Sequence, residues 1–159
     1  MTKYTLGFSK RLSYGAGMRT PDEKIELLRR LPTFRGAGRR ELRTLAMAAD
    51  ITTAHAGRVL CRADRLAHET YVVVDGEVDV VIDGAVVATL GRGSIVGELG
   101  MIDGEPRSAD VVAATDVRLL AIPVSAARAL IETSHSFRTA LLRQLADRLR
   151  TIDLDLAVR

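Results

Sequence analysis

Apolar residues in the first third of the chain recur at helical intervals. In TPDEKIELLRRLPTF, Ile25, Leu27, Leu28 and Leu31 form one stripe. Thr20 is placed to cap that helix, Pro21 suits its first turn, and Asp22 and Glu23 suit the positive end of its dipole. Pro32 ends it. A second helix is predicted over about 39–49, with Leu42, Leu45, Ala46 and Ala49 on one face. Residues 1 to about 20 carry four bases, two tyrosines and three glycines without a sustained period, and read as a loosely held arm.

From about residue 51 the rhythm shortens to two. YVVVDGEVDVVIDGAVVATL is rich in β-branched residues and is interrupted by Asp75-Gly76 and Asp83-Gly84. Asp-Gly between such runs signals a type I′ hairpin, in which both central residues need positive φ. Two such turns predict a meander of short antiparallel strands, continued by strands over 108–114 and 117–123. The fold class is therefore mainly β with flanking helices, a sandwich or jelly-roll-like β-roll over about 51–123.

After Pro123 the period returns to helical, over about 125–156. Ser125 is placed to cap a short helix through Glu132, and Ser134 or Ser136 a longer one to about Leu156. At about 1.5 Å per residue the long helix spans roughly 30 Å. Leu142, Leu145, Leu149, Ile152 and Leu156 recur at steps of 3, 4, 3 and 4, a heptad seam suited to pairing with a second copy. Leu141 and Phe137 widen the apolar face towards the roll. Arg138, Arg143, Arg148 and Arg150 are expected on a solvated face.

The bulk composition narrows the function classes. The 159 residues suit one domain, and 47% are apolar and 27% charged, an ordinary globular balance. A net charge of +3, from 23 bases and 20 acids, describes a mixed surface and gives weak support for nucleic-acid binding. Trp is absent and aromatics make up 4%, so stacking platforms for bases are few. The single cysteine, Cys61, excludes an internal disulfide and lies in a strand-like run, where a buried inert thiol is expected. His55, His68 and His135 are far apart in sequence, unlike a metal cluster. No nucleophile elbow surrounds Ser94, Ser108 or Cys61, and no catalytic constellation is apparent. Without a membrane-length apolar run or a secretory leader, a cytoplasmic location is the default expectation.

The segment with chemistry to explain is GELGMIDGEPRSA, residues 97–109. Gly97 allows close backbone approach, and Glu98, Leu99 and Gly100 read as the first turn of a very short helix with free N–H groups. Asp103-Gly104 is a tight turn and Pro106 stiffens the return, which brings Arg107 and Ser108 back towards Gly97 and Glu98. A forked cation, backbone donors and one carboxylate suit a phosphate joined to a ribose. Arg107 and the amides would take the phosphate. Glu98 would accept from the 2′-hydroxyl, since a carboxylate aimed at phosphate would repel it. The plain structural alternative is a Glu98–Arg107 salt bridge in a surface loop.

GSIVGELGMIDGEPRSADVVA resembles the phosphate-binding cassette of cyclic-nucleotide-binding domains, particularly those of the catabolite activator type. YVVVDGEVDVVIDG, VATLGRGS, VRLLAIP and the long last helix are similar too, so the resemblance covers about residues 21–156 and implies a domain over 21–159. It implies a double-stranded β-helix roll, with Gly97, Glu98 and Leu99 on ribose and phosphate, Arg107 on the cyclic phosphate, and Ser108 on phosphate or base. It also implies a purine covered by the last helix near Leu149, Ile152 and Asp153. The ligand expected is a cyclic nucleotide, cAMP favoured over cGMP. The partners expected are a second copy through the last helix or an effector protein. Activators of that type continue into a helix-turn-helix, whereas this sequence stops at Arg159, so a sensor module without DNA binding is expected. The competing reading is an interaction scaffold with a vestigial pocket.

Overall fold

The computed structural model describes residues 20–66 and 68–158, with side chains through residue 152. The predicted arm lies outside the described residues, apart from Thr20. Thr20 forms a full capping box with Glu23 at the start of α1 (Pro21–Arg29). A short 3-10 turn, Pro32–Phe34, leads to α2 (Arg39–Ala48), which buries Leu42, Leu45 and Ala46.

Eight strands follow: β1 (Asp50–Ala54), β2 (Val59–Cys61), β3 (Glu69–Asp75), β4 (Val78–Ile82), β5 (Ala85–Leu90), β6 (Ile95–Val96), β7 (Asp110–Ala113) and β8 (Val117–Pro123). The helix α3 (Glu98–Asp103) separates β6 from β7, and α4 (Val124–Thr133) and α5 (His135–Val158) close the described chain. The strands form two antiparallel four-stranded sheets, ordered β1-β8-β3-β6 and β2-β7-β4-β5. The expected β-roll with flanking helices is present.

The two Asp-Gly turns behave differently. Asp83 and Gly84 both have positive φ, at 50° and 80°, and join β4 to β5 with Ile82 opposite Ala85. That is the predicted hairpin. At Asp75-Gly76 only Gly76 has positive φ, and β3 and β4 lie in different sheets. The expected second hairpin is instead a corner between sheets, so the strands do not form a simple meander.

The apolar run of β3 is explained by burial on both faces. Tyr71 and Val73 point into the roll with Val78, Val111, Ala113, Leu119 and Ala121. Val72 and Val74 point the other way, onto a second core shared with Leu28, Leu42, Leu120, Ile122, Phe137 and Leu141. The helices thus pack on the outer face of the first sheet. Phe34 and Phe137 stack with centroids 6.0 Å apart and anchor the start of α5.

The helix caps refine the sequence reading. Ser134 caps α5, since its Oγ accepts from the Phe137 N–H at 3.1 Å. Ser125 does not cap α4. That helix starts one residue earlier, with Pro123 at the cap position and no side-chain bond.

Candidate functional site

The loop predicted to carry chemistry is a cassette with every part anchored. β6 delivers the chain to Gly97, whose φ is 79°, and α3 begins at the next residue. A β-carbon at Gly97 would run into the guanidinium of Arg107, so glycine serves here both for its φ and for the close approach. α3 ends at Gly104, and Arg128 of α4 donates from Nε to the Met101 carbonyl at 2.9 Å. The return segment before β7 is held by the loop after β2. The Arg107 N–H donates to the Arg65 carbonyl at 2.8 Å, and the Asp64 N–H donates to the Arg107 carbonyl at 2.9 Å.

The side chains of Glu98 and Arg107 do not pair with each other among the described residues. Arg107 donates from Nη2 to the Glu69 carbonyl at 2.5 Å. Its Nη1 is buried and has no hydrogen-bond partner. An unpartnered buried donor on a permanent cation is costly and calls for an anion. Glu98, whose side chain is 3% exposed, instead accepts through Oε1 from Arg148 Nη1 of α5. Arg148 is itself 31% exposed, and burial lowers its pKa below the ordinary guanidinium value. Arg107, Arg148 and Glu98 together leave one positive charge facing the cleft.

The cleft is lined by Gly97, Glu98, Leu99, Arg107, Ser108 and Arg148, over a floor that includes Cys61 and Val80. It is a half-open cleft of about 50 Å³, and a larger half-open cavity of about 920 Å³, lined by Glu69 and Tyr71 among others, shares Cys61 and Arg107 with it. Burial pushes the Cys61 thiol up to about 11, with Arg107 pulling the other way, which fits the inert thiol expected.

Five of the sequence-predicted site residues therefore meet in one place: Gly97, Glu98, Leu99, Arg107 and Ser108. Ile152 is exposed and is not among the residues lining this cleft. The side chain of Asp153 lies outside the described residues. Sequence reasoning missed Arg148, which it placed on a solvated face. That expectation is corrected: the side chain reaches into the cleft. Arg138 is also tied down, donating to the Ile131 carbonyl at 2.6 Å. Arg143 and Arg150 are exposed, as expected. A signal for Arg148 did exist. Phe137, Leu141 and Gln144 lie on the stripe of α5 that faces the roll, and one more turn brings Arg148 onto it.

Comparisons with known proteins identify the family of the domain. The family model for the cyclic nucleotide-binding domain matches residues 51–134, and the chain belongs to that family. A cyclic nucleotide-gated potassium channel of Mesorhizobium japonicum is 38% identical over 97 residues, covering 61% of this chain and 27% of the channel. The cAMP-dependent protein kinase regulatory subunit of Schizosaccharomyces pombe is 32% identical over 94 residues, covering 58% of this chain and 23% of that protein. The chain thus spans between about a tenth and about a quarter of the length of the curated relatives it matches. The catabolite activator protein of Thermus thermophilus aligns in three dimensions with a TM-score of 0.66 at 30% identity, covering 80% of this chain and 62% of that one. The chain carries a cyclic nucleotide-binding regulatory domain. Among the described residues no helix is long and apolar enough to cross a membrane.

Proposed function

We propose that the cleft is a sensor site for a cyclic purine mononucleotide, with cAMP favoured over cGMP. The observation that carries this reading is the buried, unpartnered Nη1 of Arg107 pressed against Gly97. That donor is matched to a phosphate oxygen, and the cleft's residual positive charge to a monoanionic cyclic phosphate. Glu98 accepts from the ribose 2′-hydroxyl, and Ser108, exposed at the rim, bonds the phosphate or the base. The base is placed outward, beside Leu99 and towards Leu149, Ile152 and Asp153 on α5. The preference for cAMP rests on the catabolite-activator resemblance and on the name of the kinase regulatory relative.

The signal leaves through α5. This helix touches the cassette from one face, and on another face Leu142, Leu149 and Ile152 are exposed. Packing of α5 over the base changes how that seam meets a second copy or an effector. The ligand moves this equilibrium only by its differential affinity for the two positions.

Titration calorimetry with cAMP and cGMP tests the reading. Replacing Arg107 by Ala removes one partner of a desolvated charge pair, which costs about 2–5 kcal/mol, or roughly a thirtyfold to several-thousandfold loss of affinity. An unchanged dissociation constant in Arg107→Ala means the ligand sits elsewhere. Absence of binding by the unaltered protein, with self-association intact, favours the scaffold reading.

A further inference from the structure

We infer that Arg148 is a positioning residue for the sugar: it fixes the Glu98 carboxylate, and through it makes ribose recognition depend on α5. The inference rests on the nucleotide reading of the cleft. Glu98 is nearly closed off from solvent, and a carboxylate so placed needs a charged or hydrogen-bonded partner to stay ionised. Arg148 supplies it, with Nη1 donating to Oε1. An ionised carboxylate has about four lone-pair sites. The pair therefore leaves acceptor capacity for a hydroxyl while removing the freedom of the carboxylate to rotate.

The approach of Arg148 is itself fixed by its neighbour one turn earlier. Gln144 bonds both backbone groups of Ile95 in β6: its Oε1 accepts from the N–H at 2.7 Å and its Nε2 donates to the carbonyl at 2.6 Å. Ile95 is three residues before Glu98. The two α5 side chains thus grip the strand entering the cassette and its first acidic residue. The other charged or titratable side chains lining the cleft are Arg107 from the loop before β7 and Cys61 from β2. Arg107 is committed to the Glu69 carbonyl and to the proposed phosphate, so Arg148 is the cation that orients Glu98.

Charge balance points the same way. Arg107 and Glu98 alone cancel, so a monoanion entering the cleft would meet no net positive charge. With Arg148 present the site carries one net positive charge. Losing Arg148 should therefore weaken every cyclic nucleotide, and should in addition erase the discrimination for the sugar hydroxyl.

The test compares cAMP with 2′-deoxy-cAMP by calorimetry on the unaltered chain, Arg148→Gln and Arg148→Lys, with circular dichroism reporting the fold. A hydrogen bond to a charged group predicts that the unaltered protein prefers cAMP by about tenfold or more. In Arg148→Gln that preference should fall to about threefold or less, and Arg148→Lys should lie between. A purely structural role for Arg148 would lower both affinities in parallel. Full retention of the 2′-hydroxyl preference in a folded Arg148→Gln or Arg148→Lys overturns the inference, whatever the loss in affinity. An unaltered protein that binds neither nucleotide overturns the ligand reading of the cleft itself, which is a different failure.

Discussion

At the scale of single residues, the cleft owes its chemistry to groups held in costly states. Cys61 is a thiol kept neutral by burial under the cassette, with its folded value raised to about 11 against an ordinary 9.0. As pH rises past 9 the unfolded chain gives up this proton first, so the folded state loses stability between about pH 9 and 11. At about 1.4 kcal/mol per pH unit the loss is about 2–3 kcal/mol. Tyr71, also buried and also raised, adds its own loss above its ordinary value of 10.0. Urea unfolding of Cys61→Ala, which retains Tyr71, separates the two. The unaltered protein should lose about 2–3 kcal/mol more than the variant between pH 8 and 11, and parallel profiles would exclude the assignment. The meeting of Gly97 and Arg107 at one cleft was legible because their types and spacing in GELGMIDGEPRSA leave few alternatives. Arg148 was not, because an arginine among three others on a helix looks solvated until the orientation of that helix is known.

At the scale of elements, α5 is the piece whose placement matters most. Its buried end is fixed by Phe137 and Leu141 in the helical core and by the stack on Phe34. Its middle is fixed by Gln144 on β6, a strand of only two residues that borders β3 on one side and has α5 on the other. Gln144 here replaces a neighbouring strand, satisfying both backbone groups of Ile95. Gln144→Ala should cost about 1–3 kcal/mol for two lost hydrogen bonds. Hydrogen exchange should show the Ile95 amide opening faster, with the β3–β8 ladder unchanged; equal protection at Ile95 would mean that water or another group replaces the amide. The element pattern was largely readable from periodicity, since alternation and helical stripes are local. The crossing of the chain between sheets at Gly76 was not. Asp-Gly specifies the local φ values of a turn, whereas the sheet that the next strand joins is set by its long-range pairing with β7.

At the scale of the whole molecule, α5 carries two apolar stripes and the fold uses only one. Leu145 packs partly against the core, while Leu142, Leu149 and Ile152 stand 61%, 62% and 53% exposed. Large aliphatic side chains at heptad spacing on an exposed helix face are the pattern that two copies bury against each other. The site and this seam sit on adjacent faces of the same helix, since Arg148 reaches the cassette and Leu149, the next residue, is exposed and does not line the cleft. A self-associating seam would therefore bring two ligand sites close to one helix pair, and occupancy in one copy would be felt through the pair by the other. Sedimentation velocity should show a dimer for the unaltered chain. Leu142→Asp, which places a charge on the seam away from the residues proposed to cover the base, should give a monomer, while the cassette stays folded because Leu142 does not line it. If that monomer binds cAMP with altered affinity, ligand and self-association are coupled, and the sign of the change states which form the ligand favours. A Leu142→Asp chain that sediments like the unaltered one would leave the seam without a partner in a second copy and shift the search to an effector protein.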